Sequence, residues 1–199
     1  MAKLYFRYGA MNSGKSTALL QAAFNYEERG QHVLLAKPST DTKGDTLIVS
    51  RLGVDRTTDF TVAPEESMLE AFRTAAAAVA APIACLLVDE AQFLTSGQVE
   101  DLMRIALELG VPVIAYGIRT DFRTNAFPGS RRLLELAHSL EELKTICRCG
   151  RKALFNGRKI NERFIFDGDQ VAIDGELVTY ESLCGVCYLQ ESAGRFGHV

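Results

Sequence analysis

The first apolar stretch, Leu4-Tyr5-Phe6-Arg7-Tyr8, is short and β-prone and runs into a glycine-bearing turn. It predicts a strand. Thr17-Ala18-Leu19-Leu20-Gln21-Ala22-Ala23 follows the turn and predicts a helix ending near Gly30. Residues 32–36 form a second apolar run and a short buried strand, which completes a strand–turn–helix–strand unit. Residues 38–45 are polar and predict a loop, while 46–62 alternate weakly and predict short strands. Glu65-Glu66 opens a helix through the alanine-rich 71–81, which Pro82 stops. Alanine is the best helix former, so a close-packed helix accounts for that run. Residues 83–88 are continuously apolar and end in Asp89-Glu90. Such a run suits a parallel strand buried on both faces. A helix over 96–109 with Gly110 at its C′ position, a strand over 111–116, and a polar loop with phenylalanines over 117–129 come next. A helix near 130–137 and a strand near 143–146 close the series. The alternation implies an α/β fold with a parallel sheet flanked by helices. At Cys147 the pattern changes to short apolar pieces, glycines and charges. We therefore expect a core over 1–144 and a small C-terminal domain over 145–199.

Composition narrows the class. The chain has 199 residues, of which 47% are hydrophobic, enough for a sizeable core. Its formal net charge is −3 and it has no basic run, which argues against nucleic acid or an anionic membrane as partner. No segment approaches the ~18–20 apolar residues of a membrane span. The chain enters its first strand without a leader pattern, so a soluble, cytoplasmic protein is expected.

Three constellations carry chemistry. Gly9-Ala10-Met11-Asn12-Ser13-Gly14-Lys15-Ser16 fits the P-loop pattern G-x-x-x-x-G-K-[ST] between a strand and a helix. The glycines allow backbone N–H groups to turn inward as an anion cradle, and the helix N-terminus adds its own. Lys15 would reach the β- and γ-phosphates, and the Ser16 hydroxyl would hold Mg²⁺. Asp89-Glu90 ends a buried strand, where a carboxylate helps hold the P-loop Mg²⁺ and the next residue is free to act as a base. Against this stands the plain reading of two solvated acids at a strand end. Cys147-Arg148-Cys149 and Cys184-Gly185-Val186-Cys187 suit a Cys₄ zinc site that staples a domain with little core. Disulfides or free thiols are the alternative, and a cytosolic setting disfavours the former. Cys85, in the apolar strand, is a small core hydrophobe. Spacing alone assigns the phenylalanines of residues 118–127 to a satellite core and Arg119 and Arg123 to solvent. None of the three histidines, His32, His138 and His198, sits at metal-ligand spacing.

Taken together, Tyr5-Phe6, the P-loop through Thr17, Asp89-Glu90-Ala91-Gln92-Phe93, Arg119-Thr120-Asp121-Phe122, the cysteine pairs and Tyr180 resemble the thymidine kinase family. The likeness is to its type II branch and runs from Leu4 to about Tyr188. It implies a P-loop NTPase (RecA-like) core with a zinc-bearing lasso domain, and transfer of the γ-phosphate of ATP to thymidine. Glu90 falls on the general base. Gly9, Ala10, Met11, Asn12, Ser13, Gly14, Lys15, Ser16, Thr17, Asp89 and Gln92 fall on the ATP side. Ser16, Asp89 and Asp41 fall on the Mg²⁺ site. Phe93, Ile118, Phe122 and Phe127 fall on the apolar wall around thymidine. Tyr180 and the backbone near Ala172 and Ile173 fall on the lasso over the base, and Asn156 falls close to it. The resemblance also implies a homotetramer and inhibition by the end-product triphosphate. Two other readings share the P-loop and cysteines: a nucleic-acid-dependent ATPase with a zinc ribbon, and a slow nucleotide switch with a docking module.

Overall fold

The computed structural model describes residues 1–39, 46–50, 53–170 and 178–196. In chain order the first part contains β1 (Leu4–Tyr8), α1 (Lys15–Glu27), β2 (His32–Pro38), β3 (Leu47–Val49), β4 (Asp55–Thr57) and β5 (Phe60–Val62). It continues with α2 (Met68–Ala77), β6 (Ile83–Val88), α3 (Ser96–Glu108), β7 (Val113–Gly117), α4 (Pro128–Leu136) and β8 (Ser139–Glu142). A six-stranded sheet of order β5-β2-β6-β7-β1-β8 organises this part. All its pairings are parallel. Successive residues of a strand face opposite sides. Leu34, Ala36, Leu86, Val88, Val113 and Ala115 accordingly join the cluster under α2, α3 and α4. Val33, Leu35, Cys85, Leu87, Ile114 and Tyr116 join the cluster under α1. Two apolar faces per strand account for the unbroken hydrophobic runs. Cys85 is fully buried there, and burial pushes its thiol up to about 12, which leaves it unreactive.

Two elements differ from the pattern-based expectation. Helix α2 starts at Met68, because Ser67 caps it by accepting the Glu70 N–H, and it stops at Ala77 rather than 81. Ser67 also donates to Asp101 of α3, which fixes the start in space. Of residues 78–81 only Val79 packs against the core, and it does so partly exposed. The edge strand is Ser139–Glu142, not 143–146. It is mostly exposed and polar, so hydrophobicity does not mark it. Pairing with β1 creates it, extended by His138 N–H to Leu4 O and by Leu143 N–H to Tyr8 O.

The remaining elements are β9 (Thr145–Ile146), β10 (Lys152–Ala153), β11 (Phe155–Ile160), β12 (Arg163–Ile165), β13 (Val178–Leu183) and α5 (Gly185–Glu191). β9 and β10 pair, and β12-β11-β13 form an antiparallel sheet. Their small core gathers Cys147, Ala153, Leu183, Cys184, Cys187 and Tyr188 under Phe155, Phe164 and Phe166. Among the described residues, no helix is long and apolar enough to cross a membrane.

Candidate active site

Strand β7 lies between β1 and β6. The P-loop, the Asp89-Glu90 pair and the loop after β7 therefore all leave the same carboxyl edge of the sheet, where α/β sheets bind ligands. The P-loop is closely packed. A Cβ on Gly9 would lie 2.4 Å from Ser13 Oγ and 2.5 Å from Leu143 O, so no side chain fits. Gly14, at the cap of α1, has φ +77°, a conformation that favours glycine. Lys15 Nζ folds over the loop and donates to Ala10 O at 2.9 Å and Gly9 O at 3.3 Å.

Ser16 Oγ donates to Asp89 Oδ2 at 3.3 Å, which brings the P-loop hydroxyl to the strand-end carboxylate. Asp89 is buried, and its carboxyl is pushed up to about 6, first by desolvation and then by the charge of Glu90. The Glu90 N–H, Ser16 and Lys15 offset part of this. A raised carboxyl pKa costs nothing below the unfolded value of 3.8, and the cost grows as pH rises to the folded-state value and is complete above it. Asp89→Asn is therefore expected to stabilise the ligand-free protein at pH 7.5, by on the order of 1–3 kcal/mol. The gain should shrink towards pH 4. Melting curves at pH 4.5 and 7.5 check it, and an equal shift at both would sink the idea.

Glu90 adopts φ 49°, ψ 35°, a left-handed conformation uncommon for a residue with a side chain. A 3-10 turn at Ala91–Phe93 follows. Gln92 is buried within that turn, donates to Glu90 Oε2, and accepts the Ile118 N–H at 3.2 Å. It thus ties Glu90 to the loop after β7. Beside Glu90 runs a cleft of about 920 Å³. Its lining includes Met11, Asn12, Gly14, Lys15, Ser16 and Thr17 from the P-loop, and Glu90 and Gln92. Phe93, Ile118, Phe122, Phe127 and Tyr180 line it too, with Asp121, Asn156 and Gln170.

The loop after β7 closes on itself. Asp121 is buried, and its Oδ1 accepts the N–H groups of Arg123 and Asn125 at 2.9 and 2.8 Å. Gln170 donates to its other oxygen at 3.1 Å. Ser130 Oγ donates to Ile118 O at 2.6 Å. Phe93 and Phe127 meet edge to face at 5.5 Å. The aromatics are buried, as spacing suggests, but they wall the cleft. The arginines are not simply solvated: Arg119 lies over the Tyr8 ring, and Arg123 lies against Asp121 and Phe122.

The C-terminal sheet grips the P-loop. Asn156 Oδ1 accepts the Met11 N–H at 2.7 Å, and Ser182 Oγ donates to Met11 O. Asn156 also donates to Thr120 O at 3.1 Å. Replacing Asn156 by Ala strands a donor and an acceptor, each costing roughly 1–3 kcal/mol. We expect Asn156→Ala to lower the denaturation midpoint accordingly. An unchanged chemical-denaturation curve would refute the bridge.

The protein-family model for thymidine kinase matches residues 2–188. The chain belongs to the thymidine kinase family. It is 45% identical over 204 residues to a thymidine kinase of Legionella pneumophila, covering 98% of this chain and 93% of the relative. It is 47% identical to a thymidine kinase of Ruegeria pomeroyi, covering 92% of each. It is 44% identical to the thymidine kinase of Enterobacteria phage T4, covering 92% of this chain and 94% of the relative.

Membership in this kinase family fits the cysteine cluster. The Sγ atoms of Cys147, Cys149, Cys184 and Cys187 all lie within 4.8 Å of one another. Cys149 Sγ and Cys184 Sγ are 3.5 Å apart, and none of the four is in a disulfide. A zinc–sulfur bond of ~2.3 Å in a tetrahedron sets sulfurs roughly 3.8 Å apart, so the donor set fits a structural zinc ion. Cys184 caps α5 and accepts the Cys187 N–H, which pushes its thiol down to about 6 and suits a thiolate ligand.

Of the residues singled out for the ATP side, Gly9, Ala10, Ser13 and Asp89 stand behind the cleft lining rather than in it. Asp41, Ala172 and Ile173 lie outside the described residues. Sequence reasoning assigned nothing to Asp121, Arg158 or Gln170. Asp121 stands inside the Arg-Thr-Asp-Phe motif, but only the turned loop shows what its carboxylate does. Arg158 and Gln170 had no local signal.

Proposed function

We propose that this protein transfers the γ-phosphate of ATP to the 5′-hydroxyl of thymidine. The observation that carries the reading is that Lys15, Ser16, Glu90, Phe122, Phe127 and Tyr180 line one cleft. Phosphoryl transfer depends mainly on positioning and charge neutralisation. The P-loop, with Lys15 and Thr17, holds the phosphates of ATP at one end. The aromatic wall and Tyr180 hold thymidine at the other. Glu90 then stands between them and accepts the proton of the attacking hydroxyl. Gln92, bonded to Glu90 and to the Ile118 N–H, keeps that carboxylate aimed along the cleft. Ser16 and Asp89 would hold Mg²⁺, with Asp41 contributing a further carboxylate. An ion held there would supply charge neutralisation to the phosphates. Zinc on the four cysteines staples the part of the chain that supplies Asn156 and Tyr180.

The same reading includes a domain boundary near residue 144, a cytoplasmic location and a homotetramer. It also includes the end-product triphosphate as inhibitor and no nucleic-acid partner. The test is transfer of labelled γ-phosphate from Mg-ATP to a panel of nucleosides. Transfer to thymidine, with little to cytidine or purine nucleosides, is expected. Absence of transfer to any nucleoside, with ATP turnover that rises on adding single-stranded DNA, would replace the reading with a DNA-dependent ATPase.

A further inference from the structure

Phe122 is held from two sides by the C-terminal part of the chain. Its carbonyl oxygen accepts a hydrogen bond from the Tyr188 hydroxyl at 2.8 Å, with both residues buried. Its ring lies beneath the Arg158 guanidinium, whose Cζ is 3.7 Å from the ring centroid. Arg158 is itself buried and fixed. It donates to Asp169 O at 2.8 Å and to Asp167 O, and it pairs with Tyr180 across β11 and β13. Tyr188 is equally constrained. It follows the ligand Cys187 in α5, and its ring packs against Phe155 at 5.0 Å and Phe166 at 5.2 Å.

Within the loop, Arg123 lies over the Phe122 ring at 5.5 Å, and the loop's own hydrogen bonds act elsewhere. Asp121 takes the N–H groups of Arg123 and Asn125, and Ser130 takes the carbonyl of Ile118. Tyr188 holds the carbonyl of Phe122, and Arg158 covers the face of its ring. Neither residue lines the cleft. Tyr188 reaches a ligand through Phe122, while Arg158 also borders Tyr180, its partner across β11 and β13, which lines the cleft.

We infer that Tyr188 and Arg158 are positioning residues for the nucleoside, setting the depth and tilt of Phe122 and hence the affinity for the base. The inference rests on the reading that Phe122 walls the nucleoside end of the cleft. It makes α5 a mechanical link between the cysteine cluster and substrate affinity. A wall that moves should weaken binding of nucleoside in the ground and transition states alike, and such a loss shows in KM rather than kcat.

The experiment is steady-state kinetics on Tyr188→Phe, which keeps the ring packing and removes only the hydroxyl. Arg158→Lys serves as a second variant, keeping the charge and removing the planar stack. Both are repeated in a Phe122→Leu background, with bound zinc and melting temperature measured throughout. The thymidine KM is expected to rise about 5–20-fold, with ATP KM, kcat and zinc content within about twofold. In the Phe122→Leu background Tyr188→Phe should change thymidine KM less than about twofold, because contacting residues are not additive. A thymidine KM unchanged in both variants overturns the inference. So does a joint loss of kcat, ATP affinity and zinc, since Tyr188 would then only hold the domain together. Full additivity with Phe122→Leu overturns the route through Phe122. An unchanged thymidine KM in Phe122→Leu alone overturns the placement of the nucleoside itself.

Discussion

Glu90→Gln is expected to lower kcat by roughly 10²–10⁴-fold while leaving the fold and ATP binding intact. An amide has the size of the carboxylate but cannot take up the proton of the 5′-hydroxyl. The backbone at Glu90 is already committed to φ 49°, and the 3-10 turn after it buries Ala91 and Gln92, so the position itself should not shift. Gln92 donates to Glu90, and the carbonyl oxygen of a glutamine there would still accept that bond. The change should also relieve Asp89, whose carboxyl is pushed up in part by the Glu90 charge. Single-turnover transfer to thymidine and nucleotide binding, measured on the same preparation, separate chemistry from binding. A kcat within about threefold of the unmodified protein would remove Glu90 from the role of base.

Loss of the metal should have the other large effect. Half of the buried members of the C-terminal cluster are the ligand cysteines Cys147, Cys184 and Cys187. So few apolar side chains cannot offset the ordering of three short strands, a hairpin and a helix. Structural zinc contributes roughly 10–16 kcal/mol in small peptide domains, comparable to the whole stability of a typical domain. Cys184→Ser, or chelation, is expected to remove zinc, unfold this part and raise the thymidine KM beyond about tenfold. ATP binding should suffer less, although the grip of Asn156 and Ser182 on Met11 passes some loosening to the P-loop. Metal analysis, thermal melts and kinetics on one sample decide it. A zinc-free protein with native melting and native thymidine KM would show that the cluster needs no metal.

The legible parts of the site share one property: local chemistry and local order coincide. The P-loop requires consecutive residues between one strand and one helix, and β1, Gly9 to Ser16 and α1 are that. β6 is apolar on both faces because helices cover both, so its end at Asp89 stands out in sequence. The cysteine pairs lie close in sequence within each half, and their spacing suits a four-thiolate metal site, which the meeting of their Sγ atoms within 4.8 Å fits. Where function depended on a distant partner, the signal was absent. β8 is polar and exposed and exists through pairing with β1, so its position was expected a few residues too late. Arg158 has the composition of any strand lysine or arginine, and its stacking on Phe122 depends on how the two sheets meet.

Sequence by itself determined the parallel α/β core, the P-loop motif, the strand-end acid pair and the two close cysteine pairs. Each follows from side-chain periodicity or from a motif whose members are neighbours along the chain. Only the tertiary structure decided which residues share the cleft. It brought the P-loop, the end of β6 and the loop after β7 to one edge of the sheet by placing β7 between β1 and β6. It turned Gln92 onto the Ile118 N–H, Asn156 onto Met11 and Tyr188 onto Phe122. Hydrogen bonds of that kind join residues far apart in the chain. Their geometry is set by the packing of one sheet on another, and no local pattern of hydrophobic and polar residues encodes it.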